Sequence, residues 1–231
     1  KEGRLMKEVS QGVAEFIGTF ALILFGAGSI IATGGNNLVA IALAHGLTIA
    51  IFVSALGAIS GAHFNPAVTI GLWIGKKIES NLAVAYIIAQ LLGATAAALV
   101  LQNIFFPDVW QTAQLGTPML ASNVSWVRGA AIEALLTSFL MLTVYLTAVD
   151  SRAPKMGGLF IGLIITVDIF LGGSLTGAAM NPARTFGPAF AGWFGGAAYN
   201  PWAGHLVYWV GPGIGAAVAT FVYKMWLSER T

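Results

Sequence analysis

The sequence of 231 residues is 57% hydrophobic and only 9% charged, with a mean hydropathy of +0.82. Soluble domains contain about 25% charged residues, so this composition excludes an ordinary soluble domain and predicts a protein embedded in a lipid bilayer. The absence of cysteine excludes disulfides, cysteine zinc sites, iron–sulfur clusters and thiol nucleophiles. Three histidines leave little for a metal centre, and a net charge of +2 without basic clusters argues against a nucleic-acid partner.

Long apolar runs bounded by polar or turn residues predict six membrane-spanning helices. They cover Val9 to Ile31, Leu38 to Ala58, Leu82 to Phe105, Val127 to Val149, Gly157 to Leu171 and Ala203 to Leu227. Nine of the eleven basic residues fall on one side of these spans: Lys1, Arg4, Lys7, Lys76, Lys77, Arg152, Lys155, Lys224 and Arg230. The positive-inside rule therefore predicts that both termini are cytoplasmic.

Landmarks of the first half of the sequence recur in order in the second half. The matching landmarks are Glu15 with Glu133, Gly46 with Gly162, Asn65-Pro66-Ala67 with Asn181-Pro182-Ala183, and Tyr86 with Tyr208. Each half contains three spans, and an odd number of spans reverses the orientation of the second copy. The sequence therefore predicts a single transmembrane domain over residues 1–231, built from inverted repeats at about 8–105 and 127–227 with the functional pathway at their interface.

Two shorter apolar segments, Pro66 to Gly75 and Pro182 to Gly192, each begin within an Asn-Pro-Ala sequence. Ten helical residues reach about 15 Å, half of a hydrocarbon core, so these segments predict half-helices that meet tip to tip as a broken seventh span. Asn65 and Asn181 are favoured N-caps, and proline is a favoured first helical residue. The residues before each motif are predicted to be extended backbone at membrane depth, which is tolerated where it lines a water-filled path.

The two motifs stand in the contexts Ser60-Gly61-Ala62-His63-Phe64-Asn65-Pro66-Ala67-Val68-Thr69 and Thr176-Gly177-Ala178-Ala179-Met180-Asn181-Pro182-Ala183-Arg184. Paired within an inverted repeat, they resemble the aquaporin, or major intrinsic protein, family over about residues 8–226. The resemblance implies an all-α membrane protein with six transmembrane helices and two re-entrant half-helices. It further implies a passive channel for water and other small neutral solutes, without a cofactor, assembled as a homotetramer with one pore per subunit.

The resemblance also implies a role for each motif residue. Asn65 and Asn181 form a central constriction, where free amide hydrogens and the positive ends of two half-helices exclude protons and cations. Glu15 and Glu133 support the re-entrant loops by accepting hydrogen bonds. The backbone that lines the pore belongs to Gly61, Ala62, His63, Gly177, Ala179 and Met180.

By the same resemblance, a selectivity filter toward the outer mouth is formed by His45, Ile169, Ala178 and Arg184. Water-selective members usually have Phe and His at the first two positions, so Ile169 predicts a wider mouth with one hydrogen-bonding group fewer. The set is similar to that of plant tonoplast intrinsic proteins, some of which are associated with ammonia, urea or hydrogen peroxide as well as water. A histidine that ammonia-permeable members carry in the long outer loop is absent from residues 106–126.

Several alternatives stay open at this point. The channel is either permeable to ammonia and similar solutes or strictly water-selective. A glycerol channel is less favoured, because Thr185 follows Arg184 where glycerol channels usually have Asp. Without the resemblance, His45 would more often be a packed core histidine. Asp168 departs from the family pattern, and we expect a partly wet acid at the outer rim or a subunit contact, or else a group that tunes the mouth.

Other functional classes are disfavoured by what the spans contain. A secondary transporter needs coupling acids within the spans, and the available acids are the two symmetric Glu15 and Glu133 and the rim residue Asp168. An enzyme needs a nucleophile–base pair, metal ligands or a nucleotide loop, and none of these patterns occurs. The compact loops resemble those of prokaryotic members, which favours the cell membrane over a vacuolar membrane.

Overall fold

The computed structural model describes residues 2–229; Lys1 and Arg230, which entered the orientation argument, lie outside that range. All regular structure in the described range is helical. The long helices are span 1 (Glu2–Ala21, continued by Leu22–Ala27 and Gly28–Ala32), span 2 (Leu38–Ser60), span 3 (Ser80–Ile104), span 4 (Trp126–Val144, continued by Tyr145–Val149), span 5 (Gly157–Thr176) and span 6 (Val207–Val222, continued by Tyr223–Leu227). The first half-helix is Pro66–Ile74 and the second is Pro182–Phe194.

Spans 1 to 5 are long and apolar enough to cross a membrane. Span 6 combines 16 α-helical residues with a five-residue π-helical turn, and Pro212 and Lys224 lower its hydropathy. Large apolar side chains such as Ile51, Leu92 and Leu171 are about 60% exposed on the outside of the bundle, which suits helices surrounded by lipid. The predicted all-helical fold with six spans and two half-helices is confirmed.

Close helix crossings recur at equivalent places in the two halves. Span 1 packs on span 3, span 4 packs on span 6, and spans 2 and 5 cross between the halves. At that crossing a Cβ atom on either Gly46 or Gly162 would overlap the backbone carbonyl oxygen of the other residue. Gly93 and Gly215 lie equally close to a backbone carbonyl of the helix that they cross. Small residues let these backbones touch, as in other membrane bundles.

Each half-helix packs mainly on a span of the opposite half of the chain. The first half-helix packs mainly on span 6, and the second packs mainly on span 3. Both begin at an Asn N-cap with extended backbone followed by Pro at the first helical position. This start is the one that the sequence predicts, because the Asn side chain accepts from free amides of the first turn and proline has no amide hydrogen that would need a partner.

The loops before the half-helices differ from the extended backbone that the sequence predicts. Span 2 continues through Ser60 and span 5 through Thr176, and both helices end at a left-handed glycine, Gly61 with φ 87° and Gly177 with φ 80°. Positive φ angles then recur at the non-glycine residues Ala62, Phe64, Ala178 and Met180. Such conformations persist only where surrounding contacts hold them, and the functional site supplies those contacts.

Two smaller differences concern the connections. The loop between spans 3 and 4 contains a short helix, Pro107–Thr112, and a 3₁₀ turn, Gln114–Gly116, which hydropathy does not predict. Span 6 begins at Val207 and not at Ala203, because residues 203–206 form hydrogen-bonded turns. Apolar character alone does not separate a turn from the helix that follows it.

Candidate functional site

The tips of the half-helices meet through their Asn caps. The Oδ1 atom of Asn65 accepts from the amide of Ala67 at 2.8 Å, and Oδ1 of Asn181 accepts from Ala183 at 3.0 Å. The side-chain amide of Asn65 donates to the carbonyl oxygen of Met180 at 2.8 Å, and that of Asn181 donates to the carbonyl of Phe64 at 2.9 Å. Each amide group has two hydrogens, so one joins the opposite loop and one is left for the cavity. The prediction that both hydrogens stay free is therefore wrong.

Glu15 collects the donors of the first re-entrant loop. Its carboxylate is fully buried and accepts from Ser60 Oγ at 2.7 Å, from the amides of His63 and Phe64 at 2.9 and 2.7 Å, and from Gln90 Nε2 at 2.8 Å. Four donors compensate a charge that would otherwise be costly at this depth. The positive φ angles of the loop let consecutive amides converge on one carboxylate.

Glu133 accepts hydrogen bonds from the second re-entrant loop, with three donors where Glu15 has four. It accepts from Thr176 Oγ1 at 2.6 Å and from the amides of Ala179 and Met180 at 3.0 and 2.7 Å. The position that corresponds to Gln90, at the offset of 122 between Tyr86 and Tyr208, is Pro212, which has no side-chain donor. The two loop supports therefore share a design but differ in the number of hydrogen bonds.

A tyrosine holds the end of each preceding span. Tyr86 donates to the carbonyl of Ser60 and Tyr208 to the carbonyl of Thr176, both at 2.7 Å. Both rings are about 1% exposed. The recurrence of these tyrosines is visible in the sequence, but their partners are backbone atoms, and neither tyrosine was predicted to support a loop.

One cavity of about 570 Å³ passes between the two halves. Polar side chains reach it at three levels: Gln11, Lys77 and Glu79 on the side of the chain termini, Asn65 and Asn181 at the half-helix tips, and His45 and Arg184 on the opposite side. Much of the remaining wall is apolar, with Ile49, Val53, Leu140, Val144, Ile161 and Ile165. Such a wall offers few places at which a solute would be retained.

The four residues predicted for the filter all line this cavity: His45, Ile169, Ala178 and Arg184. Arg184 is 3% exposed, and its Nη1 donates to the carbonyl of Gly116 at 3.0 Å, while its Nε has no partner among the described residues. The Nδ1 atom of His45 lies 2.8 Å from the carbonyl of Ile41. A carbonyl only accepts, so Nδ1 carries a hydrogen, and in the neutral ring Nε2 is the unprotonated nitrogen. Nε2 has no partner in the described part of the chain.

Most of the predicted backbone lining also reaches the cavity: Gly61, Ala62, His63, Ala179 and Met180. Gly177 does not line it, because this residue ends span 5 in the left-handed conformation and lies against Pro118 of the long loop. The contact between Arg184 and Gly116 carries no signal in the sequence. A backbone carbonyl is present at every residue, and only the path of the loop selects Gly116.

Asp168 is not the partly wet rim residue that the sequence suggests. Its side chain is 4% exposed within the bundle, and Oδ2 has no hydrogen-bond partner among residues 2–229. It is not part of the cavity wall, although its neighbour Ile169 is. No group of three histidine or acidic residues suited to a metal ion forms in the described range.

Six spans, two half-helices that meet inside the bundle and a cavity along their tips define a helical membrane channel with re-entrant loops. The chain matches the family model described as major intrinsic protein over residues 2–223. It is 42% identical to Aquaporin TIP4-4 of Zea mays, across 91% of this chain and 84% of that protein. It is 40% identical to Aquaporin AqpM of Methanothermobacter marburgensis, across 94% of this chain and 97% of that protein.

A solved structure shows the same fold. The X-ray structure of the aquaglyceroporin from Plasmodium falciparum is similar with a TM-score of 0.87 at 25% identity, covering 95% of this chain and 97% of that one. The chain therefore belongs to the major intrinsic protein family, and it is an integral membrane channel and not an enzyme. The resemblance stated from the two Asn-Pro-Ala motifs is confirmed.

Proposed function

We propose that this protein is a passive channel for water and other small neutral solutes, ammonia in particular, and that it excludes protons and ions. The observation that carries the proposal is the single cavity that joins the Asn65 and Asn181 tips to a mouth lined by His45, Ile169 and Arg184. The whole chain acts as one channel domain of two inverted repeats. A concentration or osmotic gradient is the only driving force.

Exclusion of protons follows from the half-helix tips. The N-termini of both half-helices point at the meeting place of Asn65 and Asn181, and each concentrates positive partial charge there. The remaining amide hydrogens donate to the oxygen of a passing water, which prevents that water from relaying a proton along the file. Cations are repelled by the same charge and by Arg184.

Ammonia permeability follows from the composition of the mouth. Arg184 supplies donors to the solute, while Ile169 is apolar and Ala178 is small. The side chain of Ile169 is apolar and forms no hydrogen bonds with a solute. Passage through the mouth therefore depends less on a solute forming all the hydrogen bonds that water forms. A mouth of this kind favours ammonia and other small neutral solutes, including hydrogen peroxide and urea.

The test is stopped-flow measurement on proteoliposomes loaded with a pH dye and mixed with an ammonium gradient. We expect faster initial alkalinisation than in empty liposomes, together with fast shrinkage under an osmotic gradient. Fast shrinkage without faster alkalinisation would leave a strictly water-selective channel. Entry of glycerol at a rate near that of water would instead indicate a glycerol channel.

Variants of the mouth sharpen the test. The pair His45→Phe with Ile169→His installs the residues that water-selective members usually carry, and we expect it to lower the ammonia-to-water ratio several-fold. Leu47→Phe is the matched control, because Leu47 is in the same helix and is 53% exposed on the outside. An unchanged ratio in the pair would remove both residues from the filter.

We further propose a homotetramer in the cell membrane with both termini in the cytoplasm. The one-sided distribution of basic residues supports this orientation. The relative named AqpM comes from an archaeon and supports the cell membrane, whereas relatives with TIP names come from plants and support a vacuolar membrane. Cross-linking and immunogold labelling in the source cells test the assembly and the location.

A further inference from the structure

The imidazole ring of His45 occupies the space that a side chain at residue 26 would fill. A Cβ atom on Gly26 would lie 2.6 Å from both Cδ2 and Nε2 of His45 and 3.0 Å from Cε1. These three atoms form the outer edge of the ring. The ring edge therefore rests directly on the backbone of span 1, and glycine is what permits that approach.

The opposite edge of the ring is also fixed. Nδ1 donates to the carbonyl of Ile41 at 2.8 Å, one turn earlier in span 2, and the side chain is 2% exposed. The imidazole is thus held between a carbonyl of its own helix and the backbone of span 1. The ring also borders the cavity, which His45 lines and Gly26 does not.

The backbone around Gly26 departs from regular helix geometry. Span 1 widens into a π-helical turn over Leu22–Ala27, and Ser29 Oγ donates to the carbonyl of Gly26 at 2.7 Å. Single π-helical turns within α-helices occur frequently at functional sites. Here the turn coincides with the level of the mouth.

We propose that Gly26 is a positioning residue that sets how far His45 projects into the mouth and thereby sets the aperture for solutes larger than water. A side chain at residue 26 pushes the ring away from span 1, and the ring, which is anchored at Ile41 and borders the cavity, moves toward the cavity. The inference rests on the proposed function, in which His45 is part of the filter. It adds a residue that touches no solute and acts through His45 alone.

The experiment compares Gly26→Ala with Gly12→Ala, a control in the same helix where an added Cβ meets no atom within 4 Å. Urea, ammonia and water fluxes are measured on the same proteoliposomes. Ratios between solutes do not depend on the number of active channels. We expect Gly26→Ala to lower the urea-to-water ratio about threefold, which corresponds to a barrier higher by ~0.7 kcal/mol. Gly12→Ala should leave the ratio unchanged.

The double variant Gly26→Ala with His45→Ala decides whether the effect passes through the ring. We expect it to match His45→Ala alone, because no ring is left to displace. An unchanged urea-to-water ratio in Gly26→Ala overturns the proposal. So does a fall in that ratio that Gly26→Ala causes to the same extent in the natural channel and in the His45→Ala variant. If Gly26→Ala fails to fold, the proposal requires that His45→Ala restore folding, and failure of that rescue overturns it.

The same set of variants separates this inference from the proposed function. If His45→Ala leaves every solute ratio unchanged, His45 is not in the filter, and both the proposed mouth and the role of Gly26 fail. If His45→Ala changes the ratios and Gly26→Ala does not, only the inference about Gly26 fails.

Discussion

The two buried glutamates give a prediction that depends on counting donors. Replacing Glu15 by Gln keeps the shape of the side chain but turns one carboxylate oxygen into an amide group, which donates and no longer accepts. Each oxygen of Glu15 accepts two hydrogen bonds, Oε1 from Ser60 and His63 and Oε2 from Phe64 and Gln90. With the glutamine amide toward Ser60 and His63, the Ser60 hydroxyl can turn to accept, and only the backbone amide of His63 faces another donor.

The corresponding change in the second half leaves the same number of backbone donors unpaired. Oε1 of Glu133 accepts from Thr176 and Ala179, while Oε2 accepts only from Met180. A glutamine oriented with its oxygen toward Thr176 and Ala179 leaves a single donor unpaired. A buried donor without a partner costs about 1–3 kcal/mol, so we expect a loss of this size for each of Glu15→Gln and Glu133→Gln.

The free energy of unfolding in mixed detergent micelles measures both losses, and osmotic shrinkage of proteoliposomes measures the water permeability of the folded fraction. Glu8→Gln is the matched control in span 1, since Glu8 forms an exposed ion pair with Arg4 that contributes little. The reasoning is refuted if either Glu15→Gln or Glu133→Gln is no more destabilising than Glu8→Gln.

Two further predictions concern acids away from the pore. Arg152 donates three hydrogen bonds to Asp150, two from its guanidinium at 2.7 and 2.6 Å and one from its backbone amide at 2.9 Å. Tyr223 donates a fourth, and these donors hold the pKa of Asp150 well below its usual range. This stabilisation is fully present above about pH 4 and is lost as the pH falls toward the lowered pKa, so Asp150→Asn should flatten the acid side of a melting-temperature profile. An unchanged acid side would contradict it. Asp168→Leu removes a buried carboxyl oxygen without a partner, and we expect the free energy of unfolding to rise by about 1–3 kcal/mol. Destabilisation in the same micelle assay would show that Asp168 is held by a contact that stabilises the fold.

Much of the fold could be predicted because it depends on local sequence patterns. Six apolar segments and two Asn-Pro starts determine the helices, since a bilayer requires internally satisfied backbone and an Asn-Pro pair begins a helix wherever it is placed. The boundaries were less predictable. Span 5 continues past Leu171 to Thr176, because its end is set by the left-handed Gly177 and not by the end of the apolar run.

The functional site also contains residues that could be predicted from the sequence and contacts that could not. The residues that recur between the halves, Asn65 with Asn181 and Glu15 with Glu133, could be named from the sequence. The donors that form hydrogen bonds with the glutamates could not be named from the sequence. They are mostly backbone amides, whose direction depends on the φ angles of the loops. Burial of Asp168 was also unpredictable, since hydropathy gives the depth of a residue along a helix but not the side of the helix that faces a neighbour.

Sequence patterns are sufficient to identify a membrane channel of six spans and two half-helices, the residues at the half-helix tips and the repetition of the halves. Three contacts emerge only from the packed helices: Gly116 accepts from Arg184, Gln90 gives Glu15 a fourth donor, and Gly26 lies against the ring of His45. Hydrophobic pattern and capping act over a few neighbouring residues and can be read along the chain. These contacts join atoms far apart in sequence, and their geometry exists only after the helices have packed.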